Sequence, residues 1–271
     1  MGGTAMKSIK KIYLLISIIT FVLTLTSCSN SPRRTIYESG YFQYKILDID
    51  RDDVKEILIM GLTEEGKQQE TIVIPTVIDE YEVVSLGHYN GFQGEQGYIY
   101  SINLRKIYIT NHIKNIGNDL FFNSNDGIER TLFIGNAYGR DYRWDSILDS
   151  FDNIFLSKKI KEINFPSSED FDNKCSYANV LYDLNYGENN IFLVDDCDGT
   201  TVNVLPPNPI RQGYNFIGWY KEPECINLWD FENDIVPAKE YSENGEYILK
   251  ETILYAKWEE QQWNLSKKFV Y

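Results

Sequence analysis

Residues 213–220 read Gly-Tyr-Asn-Phe-Ile-Gly-Trp-Tyr and decide the fold of the C-terminal third of this 271-residue chain. Side chains alternate along an extended strand, which places Tyr214, Phe216 and Tyr220 on one face with Gly218 between them. A glycine there lets a neighbouring ring or backbone approach where a side chain would collide. The stretch therefore predicts a strand of a small, aromatic-rich β-domain.

Further motifs flank this strand on both sides. Pro209 precedes it, and Trp229-Asp-Phe231 and Leu254-Tyr-Ala-Lys-Trp258 follow it. With the strand, these motifs resemble the internalin-type B repeat, also called the Listeria-Bacteroides repeat. The resemblance implies a β-grasp-like domain over residues 178–260, the most specific signal in the chain.

One segment departs from that family pattern. A Gly-Gly turn usually follows the first strand of the family, whereas this chain reads Asn185-Tyr-Gly-Glu-Asn-Asn190. The first hairpin of the domain therefore stays an open question in the sequence.

The N-terminal half shows a hairpin pattern followed by internal repetition. Residues 41–62 read as strand, charged tip and strand. After them, the order of strand, branched aliphatic residue, glycine and phenylalanine occurs twice. The two copies are Thr71-Ile-Val-Ile-Pro75 with Gly87 and Phe92, and Lys106-Ile-Tyr-Ile-Thr110 with Gly117 and Phe121; fainter copies are Thr131-Leu-Phe-Ile-Gly135 and Lys161-Glu-Ile-Asn-Phe-Pro166.

These copies resemble the BspA-type leucine-rich repeat. The resemblance implies strands that stack on their neighbours, with aliphatic and phenylalanine ladders in a shared core and with Gly87 and Gly117 at the turns. We expect a mainly β chain: a short, irregular leucine-rich-repeat solenoid of three to five coils over residues 37–170, capped by the hairpin, and then the small β-grasp-like domain. A twisted β-sandwich with accidental self-similarity is the alternative.

The N-terminus reads as an export signal. Lys7, Lys10 and Lys11 precede an uncharged apolar run over residues 12–26, which is shorter than the roughly 20 residues of a transmembrane helix. Leu25-Thr-Ser-Cys28 resembles the lipobox of bacterial lipoproteins. That resemblance implies cleavage after residue 27 and a diacylglycerol on Cys28.

The anchor would set the location of the rest of the chain. Residues 28–36 then form a polar spacer, and residues 261–271 form a C-terminal tail. We expect an exported protein that is lipid-anchored to the bacterial cell membrane or envelope and faces outward. An ordinary signal peptide with an incidental cysteine and an uncleaved anchor helix are the alternatives.

Charge argues against nucleic acid as a partner. The formal net charge is −14, and without residues 1–27 the chain keeps 23 basic and 40 acidic side chains, a net charge of −17. Phosphate backbones are bound by clustered lysine and arginine. The acidic balance instead predicts a solvated surface.

Few residues offer catalytic chemistry. The histidines His88 and His112 fall at outward positions of different predicted coils. No G-x-S-x-G, H-E-x-x-H or glycine-rich nucleotide motif is present. Cys175, Cys197 and Cys225 include no C-x-x-C pair; a bridge between Cys197 and Cys225 and three unpaired thiols are both compatible with the sequence.

Two acidic segments could suggest a cation site. Asp48-Ile-Asp-Arg-Asp52 imitates the start of a calcium loop, yet Asp53 and Ile59 stand where glycine and glutamate are needed, so we interpret it as a hairpin tip. Residues 195–199 could hold a hard cation weakly, but a solvated turn is favoured. We expect no catalytic residue, no metal and no cofactor, and interpret the chain as non-enzymatic.

The sequence favours a membrane-tethered binding module. For the families resembled, the implied partners are proteins or glycans of a host or a neighbouring cell, with Tyr98, Tyr100 and Tyr108 as candidate contacts. A structural spacer in the envelope is the alternative, and an uncharacterised surface hydrolase is a third reading. The ligand and the oligomeric state are not determined by the sequence.

Overall fold

Strands are the predominant regular secondary structure of the protein in a computed structural model that describes residues 35–49, 51–87, 98–117, 120–121, 127–136, 141–158, 173–187 and 190–261. The mainly β class is thereby confirmed. Residues from Ile36 onward form one unit. The predicted signal segment, Cys28 and the tail beyond residue 261 lie outside the described residues. In the described part, no helix is both long enough and apolar enough to cross a bilayer.

An antiparallel hairpin opens the fold. Strand β1 (Tyr37–Ser39) pairs with β2 (Phe42–Leu47), and β2 pairs with β3 (Glu56–Leu62). At the tip, the backbone N–H of Asp52 donates to the Asp48 carboxylate across 3.1 Å. The predicted hairpin and its charged tip are confirmed.

A parallel ladder follows the hairpin. Its strands are β4 (Thr71–Val73), β7 (Lys106–Ile109), β9 (Thr131–Ile134), β11 (Asn153–Leu156) and β12 (Cys175–Tyr177), and each pairs in parallel with the next. Three of these strands are the predicted repeat strands, in register from Thr71 through Lys106 to Thr131. The predicted copy at residues 161–166 lies outside the described residues.

A second parallel set of strands lies across the core from this ladder. Its members β6 (Tyr81–Leu86), β8 (Asn115–Ile116) and β10 (Asp141–Tyr142) extend the sheet of β3, and β5 (Val77–Ile78) pairs antiparallel with β6. Because the chain passes from one sheet to the other after β4, β7 and β9, each pass adds a layer. A 3-10 turn (Gly66–Gln68) and helix α1 (Trp144–Ser150) fill the connections.

Alternate residues of the ladder face opposite sides. Ile72, Ile107, Leu132 and Ile154 are buried in the core between the two sheets. At the predicted turn, Gly87 has φ 74°, and a Cβ atom there would lie 2.9 Å from the Leu120 Cβ. Glycine is therefore required at this step, as the repeat pattern predicted.

The C-terminal residues form a separate sheet. Its order is β14 (Ile191–Asp195), β13 (Val180–Asp183), β18 (Thr252–Glu260) and β15 (Tyr214–Tyr220), with β13 parallel to β18 and the other pairs antiparallel. A small hairpin of β16 (Glu240–Tyr241) and β17 (Tyr247–Ile248) is inserted before β18. The β13–β14 pair shows that the first hairpin, left open by the sequence, does form.

The prediction that Tyr214, Phe216 and Tyr220 share one face is wrong. Phe216 pairs with Trp258, but Gly218 pairs with Lys257, so Ile217 is an extra residue in β15. Such a β-bulge reverses the alternation beyond it. Phe216 therefore packs with Trp219, whereas Tyr220 lies on the opposite face beside Lys257.

Candidate functional site

The outer face of the parallel ladder carries stacked aromatic rings that are buried at Tyr108 and Phe133 and partly buried at Phe155. The Tyr108 and Phe133 rings stack with centroids 4.3 Å apart, and the Phe133 and Phe155 rings stack at 5.1 Å. These rings belong to the same apolar core as Phe192 and Trp219 of the C-terminal sheet. The ladder and the C-terminal sheet therefore share one interior.

Backbone contacts close the same junction. The N–H groups of Asn111 and Asn136 donate to the carbonyls of Phe192 and Ile191 across 2.8 and 2.7 Å. A Cβ atom on Gly135 would lie 2.2 Å from the Phe192 carbonyl oxygen. The edge strand β14 can approach the ladder this closely only because residue 135 has no side chain.

Asp195 lies at the centre of the junction with no exposed surface. Its carboxylate accepts hydrogen bonds from the Tyr108 hydroxyl at 2.9 Å, from the Asp196 N–H at 2.9 Å, and from the backbone and side-chain nitrogens of Asn203 at 2.7 and 2.8 Å. The Cys197 thiol lies 3.6 Å from its second oxygen. These donors compensate for the desolvation of a buried charge.

The groups around Asp195 are held in their protonated forms. Burial, reinforced by the Asp195 carboxylate, raises the pKa of the Cys197 thiol to about 12. The same two causes, again led by burial, raise the pKa values of Tyr108 and Tyr182 well above their usual range. Because a thiolate is needed for nucleophilic attack, this cluster is suited to holding two parts of the chain together rather than to reacting.

A second aromatic cluster surrounds Arg211 on the C-terminal sheet. The guanidinium of Arg211 lies over the rings of Tyr186 at 4.3 Å and Tyr214 at 3.7 Å, with the Trp258 ring at 5.8 Å. Trp258 is anchored by its indole N–H, which donates to the Leu184 carbonyl at 2.7 Å. All four side chains are partly exposed, so the cluster faces solvent.

The C-terminal sheet is the part of the chain that resembles a known family. Residues 179–257 match the family model of the Listeria-Bacteroides repeat domain. No curated protein and no solved structure matches the chain significantly. The match begins just before β13 and ends within β18, so it includes Asp195 and Arg211, whereas Trp258 follows it directly and Tyr108 lies outside it.

The acidic loop of residues 195–199 is only in part the solvated turn that the sequence favoured, because Asp198 and Gly199 are exposed whereas Asp195 is buried. Asp195 is buried, the Asp196 carboxylate binds the Lys239 ammonium at 2.6 Å, and the Asp198 carboxylate accepts from the Lys239 N–H at 2.7 Å. The loop is fixed because its carboxylates accept internal hydrogen bonds. Within the described ranges, no three His, Cys, Asp or Glu side chains are arranged to hold a metal ion.

Cys197 and Cys225 are free thiols. Cys197 is buried beside Asp195, whereas Cys225 contacts the carbonyls of Pro223 and Ala256 at 3.5 and 3.7 Å. The structure thus has unpaired thiols where the sequence left a Cys197–Cys225 bridge open.

The histidines do not form a shared site in the described part of the chain. His112 is partly exposed, and its Nε2 lies 3.2 Å from the carboxylate of Glu82, which is itself exposed to solvent. His88 lies outside the described residues.

The candidate contact tyrosines divide into two kinds. Tyr98 and Tyr100 are partly exposed, and the Arg130 guanidinium lies 5.2 Å from the Tyr100 ring centre. Tyr108 is completely buried under the Listeria-Bacteroides repeat, so its proposed role as a surface contact is wrong. The sequence gave no signal that Arg211 would have three aromatic neighbours, because these rings come from a turn and two separate strands.

Proposed function

We propose that the chain is a lipid-anchored protein that faces outward from the bacterial envelope and binds protein or glycan partners without catalysis. The observation that carries the proposal is the match of residues 179–257 to the Listeria-Bacteroides repeat domain. The export signal and the Leu25-Thr-Ser-Cys28 motif support the anchor at Cys28. Two acyl chains on that cysteine would hold the protein firmly on a bilayer.

The proposal includes a specific architecture for each half. Residues 37–170 form a short, irregular BspA-type leucine-rich-repeat solenoid, which the ladder from β4 to β12 supports. The C-terminal domain, residues 178–260, is β-grasp-like. Its sheet order, with the first and last strands central and parallel, supports that part.

The buried junction supports binding rather than chemistry. Its two carboxylates are engaged within the chain: the Asp195 carboxylate with Tyr108 and Asn203, and the Asp196 carboxylate with Lys239. Rigid attachment of the repeat to the ladder lets the two halves present one surface to a partner, and preordered surfaces lose less entropy on binding.

Metabolic labelling with an alkyne-bearing fatty acid tests the anchor. The full chain should incorporate the label in a bacterial host, Cys28→Ala should lose it and leave the membrane fraction, and the matched control Cys175→Ala should keep it. Unchanged labelling of Cys28→Ala would contradict the assignment.

Capture from host-matrix and envelope fractions by the detergent-solubilised full chain tests binding. We expect a protein or glycan that binds saturably, is displaced by soluble chain and is not retained by heat-unfolded chain. Repeated failure to recover such a partner would favour an envelope spacer.

A further inference from the structure

The Arg211 guanidinium combines a fixed position with unused hydrogen-bonding capacity. It lies over the Tyr186 and Tyr214 rings at 4.3 and 3.7 Å. None of the hydrogen bonds or ion pairs among the described residues uses its N–H groups. Guanidinium–ring contacts hold the group from its flat faces and leave the five donors at its edge unoccupied.

Arginine in this arrangement is suited to a carboxylate. The guanidinium edge matches the two oxygens of a carboxylate, and such bidentate pairs are among the stronger hydrogen-bonded contacts. The surrounding rings lower the entropy lost on binding because the side chain is already positioned. In a chain with a net charge of −14, an arginine without an ion pair to any carboxylate in the described part of the chain stands out as an anion-recognition group.

The neighbouring side chains favour a sugar as the carrier of that carboxylate. Tyr186, Tyr214 and Trp258 are partly exposed rings, and rings of this kind offer an apolar surface with a polar edge. The apolar C–H face of a sugar ring can pack on such surfaces while its acid group meets the arginine. A densely acidic peptide would be repelled by the net negative charge of the chain.

We propose that Arg211, with Tyr186, Tyr214 and Trp258, forms a binding site for a glycan that carries a sugar carboxylate. This inference rests on the proposed binding function and names the ligand class for one surface of the Listeria-Bacteroides repeat. Arg211 takes the carboxylate through its free edge, and the rings take the sugar.

Biolayer interferometry on the detergent-solubilised full chain tests the site, with sialyllactose conjugated to a polymer as the probe. The lactose conjugate is the neutral control and a glutamate-rich peptide conjugate is the peptide control. We expect binding of the sialyllactose conjugate alone. Arg211→Gln should weaken it by about tenfold or more, the equivalent of at least one strong charged contact.

Two further variants separate recognition from folding. Arg211→Lys keeps the charge but loses the planar guanidinium, so its affinity for the sialyllactose conjugate should lie between those of the wild type and Arg211→Gln. Arg51→Gln removes the same charge from the exposed β2–β3 tip and should bind like wild type. Unchanged thermal midpoints would show that the binding losses are not losses of folding.

Several results would overturn the inference. These are equal binding of the lactose conjugate, preference for the peptide conjugate, absence of binding to all three conjugates, and wild-type binding by Arg211→Gln. If the chain still captures a saturable partner from host or envelope fractions in any of these cases, the proposed function stands and only the sugar-acid site is lost.

Discussion

The Tyr108 hydroxyl donates a 2.9 Å hydrogen bond to the buried carboxylate of Asp195, although 87 positions separate the two residues along the chain. Tyr108 belongs to the parallel ladder and Asp195 ends the second strand of the Listeria-Bacteroides repeat. The bond therefore joins the two halves of the described chain at a point that water does not reach. It makes the repeat part of the same folded body as the ladder.

Removing this hydroxyl should weaken the junction. Tyr108→Phe keeps the ring stack with Phe133 but leaves the buried carboxylate without one of its donors, so we expect a loss of about 1–3 kcal/mol in the free energy of unfolding. Urea denaturation measures it. Tyr177→Phe, at a tyrosine that is 44% exposed, is the control and should change stability by less than about 0.5 kcal/mol. Equal effects of the two substitutions would contradict a special role for Tyr108.

A methyl group at residue 135 should separate the repeat from the ladder. In Gly135→Ala the new Cβ would stand 2.2 Å from the backbone oxygen of Phe192, which cannot turn away as a side chain could. We expect a loss of about 3 kcal/mol or more. In the control Gly127→Ala, the new Cβ would have no atom within 4 Å, but the backbone at residue 127 has φ 72°. The free energy of unfolding should therefore fall by only about 1–2 kcal/mol. Thermal unfolding of both variants gives the comparison, and a smaller loss at residue 135 would mean that β14 can move.

The Asp196 carboxylate should make stability depend on pH. Burial raises its pKa above 3.8 even though the Lys239 hydrogen bond and charge act in the opposite direction. A raised folded-state pKa means that this group favours the folded state most at pH values below 3.8 and loses that contribution as pH rises through the folded-state value. The free energy of unfolding of the wild type should therefore fall relative to Asp196→Asn as pH increases from 3 to 7. A difference that stays constant over this range, or that grows in favour of the wild type, would contradict the shift.

Cys197 should resist alkylation in the folded protein. With a pKa of about 12, only about one thiol in ten thousand is ionised at pH 8, and the side chain is buried. Iodoacetamide followed by peptide mass spectrometry should modify Cys225 well before Cys197. Urea should make the two sites react alike. Fast labelling of Cys197 without denaturant, or a recovered Cys197–Cys225 disulfide, would show that the junction opens.

Some elements could be predicted from local sequence because local rules decide them. The hairpin at residues 41–62, the strands that begin at Thr71, Lys106 and Thr131, and the glycine turn at Gly87 follow from alternation, repetition and backbone freedom. The aromatic motifs from Gly213 to Trp258 predicted the repeat that the family match supports. These patterns are visible in the sequence because each involves residues close together or an evenly spaced copy.

Other features could not be predicted because they depend on contacts between distant segments. The bulge at Ile217 changes which rings share a face, and only the pairing of β15 with β18 reveals it. Tyr108 lies in a stretch whose alternation predicts a strand, yet no residue near it in the sequence indicates that a second sheet covers the outer face of that strand. The Arg211 cluster likewise draws its rings from a turn and two strands.

By itself, the sequence determined that the chain is mainly β, that it repeats a strand unit and that it contains a Listeria-Bacteroides repeat, because periodicity and motif spacing are local properties. Only the tertiary structure decided that the ladder and the repeat share one interior, that Asp195 is buried with Tyr108 as its partner and that Arg211 lies against three aromatic rings. Burial and hydrogen-bond satisfaction depend on which surfaces meet, and no single stretch of sequence specifies that.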